Sequence, residues 1–248
     1  MKKYGIKLGL LCGITLMLAC SLGRIPTRNY YIISYTPVSK TPATSNRPYP
    51  YSLQVARFEV QRIFNRQNIL YRYSPNQIQY YELQQWAVRP DYMIEDMVFK
   101  HLEASNLANR VGVDFFDTRP DFRIEGSVEA LEKLDAGDIF FAHLAMSFKM
   151  LRTADGAQVW DYFFDQRKQV FQEEMVYTIR GLSSILQSQM EVVVSQLDSL
   201  FYAMQTGKQK GIISFEESPE KKPEVKSKEL DETDFEIIPE KKLQQEEK

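Results

Sequence analysis

Phe122-Arg123-Ile124-Glu125-Gly126-Ser127-Val128-Glu129-Ala130 alternates apolar and polar residues at every step, the pattern of a strand with one dry and one wet face. Asp135-Ala136-Gly137-Asp138 turns the chain into a second run, Ile139 to Leu151. Ala154-Asp155-Gly156 turns it again into a third, Val159 to Val170. Three long strands joined by Asp- and Gly-bearing turns read as an antiparallel meander.

Downstream, Leu182, Leu186, Met190, Val193, Leu197, Leu200 and Met204 recur every three or four residues, which predicts one long helix with an apolar stripe. After Gly207 the composition turns to Glu, Lys, Pro, Asp and Gln, so residues 207–248 are expected to form a disordered charged tail. Within it, Phe235-Glu236-Ile237-Ile238-Pro239 reads as incidental apolar residues or a short docking motif.

Upstream, Pro90 opens a helix whose Ile94, Met97, Val98, His101 and Leu102 share one face, with Asp96 placed to pair with Lys100. Ile69 to Tyr73, a Ser74-Pro75-Asn76 turn and Ile78 to Leu83 read as two strands. Leu53, Val55, Phe58 and Val60 form another with a bulge near Ala56. Tyr30 to Tyr35 is a β-type run, and Thr36 to Pro50 a loop. The fold class is therefore α+β: a single domain over residues 30–206, a largely antiparallel sheet with two packed helices, trailing a disordered C-terminal tail.

The 248 residues carry 31 basic and 33 acidic side chains, a net charge of -2. Such balance supplies no general field for nucleic acid. The one long apolar run, Leu8 to Ala19, follows Lys2, Lys3 and Lys7, as in a secretory signal peptide over residues 1–19. It is too short for a comfortable bilayer span, which excludes a polytopic membrane protein. Met17-Leu18-Ala19-Cys20 resembles a bacterial lipobox. Cleavage after Ala19 would leave Cys20 as the first mature residue, carrying a diacylglycerol, with residues 20–29 as a lipidated tether. Ser21 beside it favours the outer over the inner membrane.

Residues that could carry chemistry are few. His101 and His143 lack a second histidine at metal spacing, so no metal site is expected. With Cys12 removed and Cys20 lipidated, no thiol remains to act as nucleophile. Glu125 and Glu129 are read as the wet side of a strand, and no catalytic residue is assigned. Tyr71, Tyr73, Tyr80, Tyr81, Trp86, Tyr92, Phe115 and Phe116 fall in one third of the chain. Tyr and Trp anchor interfaces, which makes Tyr71, Tyr80, Tyr81, Trp86 and Tyr92 the partner-binding candidates.

Leu53-x-Val55-x-x-Phe58, Ile69-x-Tyr71-Arg72, Ile78-x-Tyr80-Tyr81, Trp86-Ala87 and Pro90, in that order, resemble the ABC-type transport auxiliary lipoproteins, which are PqiC-like envelope lipoproteins. In that family a strand with a tyrosine pair is followed by tryptophan and a small residue, a proline and a helix. Here Tyr80-Tyr81, Trp86-Ala87, Pro90 and Ile94 to Leu102 take those places. The likeness runs from about Tyr30 to Leu200; the tail is outside it. The resemblance implies a non-catalytic accessory subunit anchored by lipid on the periplasmic side of a bacterial envelope membrane. Its implied partners are an MCE-domain protein and an ABC-type permease that move lipids or other apolar molecules; no cofactor beyond the acyl anchor is implied. A homo-oligomer stays open. The rival readings are a lipoprotein that carries its own apolar ligand and a structural surface lipoprotein.

Overall fold

The computed structural model describes residues 26–37, 47–137, 139–207 and the backbone of 213–216. The expected signal peptide, Ala19, Cys20 and the charged stretch from 217 onward lie outside these residues.

The meander sets the frame. Strands β7 (Phe122–Asp135), β8 (Phe140–Arg152) and β9 (Gln158–Val170) pair antiparallel over nearly their full lengths. β4 (Asn68–Ser74) and β5 (Gln77–Trp86) form a second antiparallel pair. Helices α1 (Pro90–Ala104) and α2 (Met175–Gln205) complete an α+β domain, with α2 packed on β8 and β9.

Strand direction at the other edge of β7 departs from the meander. β2 (Tyr49–Val55), β3 (Glu59–Val60) and β4 lie one after another along that edge, all parallel to β7. β1 (Asn29–Tyr31) pairs parallel with β5, and β6 (Ala108–Gly112) pairs parallel with β2. Alternation of side chains is the same in both directions, so the sequence carries no local mark of this. The bulge expected near Ala56 is a break between β2 and β3, although Ala56 and Gln61 keep backbone bonds to β7. The expected tail also begins with structure: β10 (Ile213–Glu216) pairs parallel with Trp160 to Phe163.

The dry face of the sheet is continuous. Ala142, Leu144, Met146, Phe148 and Met150 of β8 are buried in one core with Leu182, Leu186, Met190, Val193 and Leu197 of α2. Gly181 permits close contact with β8, since an added Cβ would stand 2.6 Å from the Cβ of Ala142.

β7 contains a bulge between Val128 and Ala130, and this corrects the simple alternation read from sequence. Phe122, Ile124 and Val128 point to the helical side as expected, but the extra residue inverts the parity beyond them. Leu131 and Lys133 take the helical side, while Ala130, Glu132 and Leu134 pass to the other face beside Ala145, His143 and Phe141. Lys133 is fully buried; its ammonium donates to the Glu173 carbonyl at 2.8 Å and lies over the Phe140 ring.

Candidate functional site

The five partner-binding candidates do not form one surface. Trp86 is 1% exposed, because β5 runs three residues further than its apolar pattern suggested and carries the indole into the core. It cannot anchor a partner there. Tyr80 and Tyr81 point to opposite faces of β5. Tyr80 is half-buried, donates to the Ile63 carbonyl at 3.1 Å and lies under Arg66. Tyr92, exposed on α1, is stacked by Arg57 at 4.1 Å.

Tyr71 and Tyr81 do come together. Their ring centroids are 4.3 Å apart, and Tyr73 adds a third ring edge-on to Tyr71 at 5.2 Å. Burial pushes the Tyr81 hydroxyl up to about 12 and raises that of Tyr71, so both rings present neutral hydroxyls at ordinary pH. Tyr81 also lines a hollow with Gln84, Glu173, Glu174 and Met175, at the start of α2.

The opposite face of the sheet holds a polar network that the sequence reading missed. Arg72 makes a forked bond to Glu132, at 2.9 and 3.1 Å. Glu132 meets Nδ1 of His143 at 3.0 Å, and Asp165 meets Nε2 at 2.8 Å. Carboxylates accept and do not donate, so both contacts are bonded when both ring nitrogens carry hydrogen. The β7 bulge creates this arrangement: unbroken alternation would have left Glu132 on the helical side. One signal existed. Folding the chain about Asp135 to Phe140 pairs Glu132 with His143, so His143 does not stand alone.

These side chains line an open cleft of about 620 Å³ together with Ile63, Phe64, Leu134, Phe141, Phe163 and Arg167. Both nitrogens of His143 are held by carboxylates, which leaves neither to activate a hydroxyl. Glu125 is paired with Lys149 at 3.0 Å, as suits the wet side of a strand. Among the described residues no group of three or more His, Cys, Asp or Glu is arranged to hold a metal. His101 is buried, with the Tyr35 hydroxyl 3.0 Å from Nδ1. No helix among the described residues is long and apolar enough to cross a membrane, which says nothing of β-barrels.

Comparison with known proteins follows the fold. A crystal structure of a Xanthomonas campestris protein of the DUF330 family superposes with a TM-score of 0.60 and 21% identity, over 74% of this chain and 100% of that one. A second crystal structure, of an uncharacterized protein, gives 0.54 and 10%, over 69% of this chain and 99% of that one. At these identities they show the fold alone. No curated protein matches the chain. The sequence pattern described as "ABC-type transport auxiliary lipoprotein component" matches residues 31–194, from β1 into the body of α2. The chain therefore belongs to the family of ABC-type transport auxiliary lipoproteins.

Proposed function

We propose that the chain is a non-catalytic auxiliary subunit of an ABC-type envelope transport system that works with an MCE-domain protein and a permease. A diacylglycerol on Cys20, exposed by cleavage after Ala19, holds it at the periplasmic face of a membrane, with Ser21 favouring the outer one. The observation that carries this reading is the family match over 31–194 behind a lipobox ending at Cys20. The anchor turns a search in three dimensions into one in two, which raises the effective concentration of a membrane-bound partner. No cofactor and no nucleic acid enter the mechanism, and the engagement of His143 by two carboxylates supports a binding role over catalysis.

The docking surface is the Tyr71, Tyr73 and Tyr81 cluster, in place of Trp86 and Tyr80. Co-purification of the lipidated chain with an MCE protein tests this. Tyr71→Ala with Tyr81→Ala is expected to lose the partner, and Phe235→Ala in the tail to keep it. Equal recovery from all three defeats the surface; no MCE protein with the wild type defeats the partner. Cys20→Ser should lose membrane retention and transport together.

The cleft of about 620 Å³ favours one second reading, a lipoprotein that carries its own apolar ligand. Native mass spectrometry of the purified chain separates the two, since a retained lipid is expected from the second alone.

A further inference from the structure

The residues that follow the lipid tether form a groove of mixed apolar and polar lining with the start of α2, where Tyr30, Ile32, Val176 and Ile179 meet Ser34, Ser183 and Gln187. Tyr30, Ile32 and Val176 are 60%, 48% and 40% exposed, and all three line one groove of about 460 Å³ with Ile179 and Arg180. The backbone N–H of Ser34 donates to the Ser183 hydroxyl at 3.2 Å, which lays this segment along α2. The two sides of the groove are thus joined.

We infer that this groove is the face by which the domain rests on the bilayer surface. The inference builds on the Cys20 anchor proposed above and adds an orientation to it. Tyr30 lies ten residues beyond Cys20, so its Cα can stand at most about 36 Å from the acylated cysteine. A lipid at Cys20 therefore keeps Tyr30 and Ile32, among the described residues nearest in sequence to the anchor, within reach of the headgroup region.

The chemistry of the groove agrees. No carboxylate is among the described residues lining it. Arg180 lines it, Lys168 bonds Ser184 on its wall at 2.6 Å, and exposed Arg28 precedes it. Glu173 and Glu174 line the neighbouring hollow with Tyr81 instead. Tyr with Ile and Val, flanked by Arg and Lys, suits an interface where apolar bodies enter the acyl boundary and cations meet anionic headgroups. Phe116, 90% exposed, is the internal control. It lies at the Phe122 end of β7, while Lys133, eleven residues along that strand or about 36 Å away, is bonded to Glu173 beside the groove.

The test uses the full lipidated chain in phosphatidylcholine–phosphatidylglycerol vesicles with and without brominated acyl chains. Tryptophan reporters are introduced as Tyr30→Trp, Ile32→Trp and Phe116→Trp; the native Trp86 and Trp160 are buried and give a constant background. Added emission that is blue-shifted and lost to bromine at 30 and 32, but kept at 116, supports the proposal. Emission kept at all three positions overturns it, including the case where the groove seats a protein. Emission lost at all three also overturns it, because the contact would not be selective for a face. Vesicle flotation of the wild type keeps the two readings distinct: co-flotation with unquenched reporters sinks the orientation and spares the anchor, whereas failure to float sinks both.

Discussion

Asp198 of α2 accepts from Nε of Arg47 at 2.7 Å and from the Tyr49 hydroxyl at 3.0 Å, with both members of the ion pair buried. Removing one partner of such a pair strands the other charge away from water, at about 3–5 kcal/mol. Asp198→Ala should therefore lower the unfolding free energy measured by chemical denaturation by that amount, and a change within error would show the pair to be dispensable. His101 makes a different statement. Burial pushes its imidazole below the ordinary 6.5, against a smaller opposing pull from Glu191. As pH falls through 6.5 the unfolded chain takes up a proton that the folded chain refuses, so the stability present above 6.5 declines on acidification. Melting temperatures taken from about pH 7.5 down to 5.5 should fall less for His101→Gln than for wild type; parallel curves would remove His101 from the account. Legibility at this scale was uneven. Residue type marked Tyr71, Tyr81 and Trp86 alike as interface candidates and could not tell that the first two stack while Trp86 is buried, because an aromatic side chain suits core and interface equally. Asp198 and Arg47 are 151 residues apart, and neither sits in a pattern that announces the other.

Among the elements, α2 shows how a local preference yields to packing. Replacing Gly181 by alanine gains up to about 1 kcal/mol of helix propensity. The new methyl would meet Ala142 at 2.6 Å, and overpacking of this kind costs about 1–3 kcal/mol. Gly181→Ala is expected to be net destabilising, and adding Ala142→Gly should recover most of the loss in a double-mutant cycle; additive effects would mean the two do not touch. Helices and the meander were legible because their periods are local: α1 begins at Pro90, and Asp96 pairs with Lys100 at 2.6 Å, as read. The β7 bulge was not. A single unpaired residue leaves the composition unchanged, yet it moves Glu132 to the cleft and Lys133 to the core.

For the whole molecule, the α+β class and the family could be read from the chain, since they depend on the order of patterns along it. Parallel pairing could not, because it depends on which edge a distant strand leaves free. The composition of residues 217–248 suits a solvated chain. Deleting them should leave the melting temperature of the domain within about a degree of wild type, measured by circular dichroism; a large drop would mean that the tail packs. The parallel edge of β7 also bears on delivery. Leu53 is paired with Phe122, 69 residues later, and β3 and β4 wait on the same strand. In a chain threaded N-terminus first through a translocation channel, half the domain emerges before its template does. That half can pair β4 with β5, β1 with β5 and β2 with β6. The edges of β2, β3 and β4 that face β7 would stay open, exposed to proteases and in need of a chaperone until residues 122–135 follow.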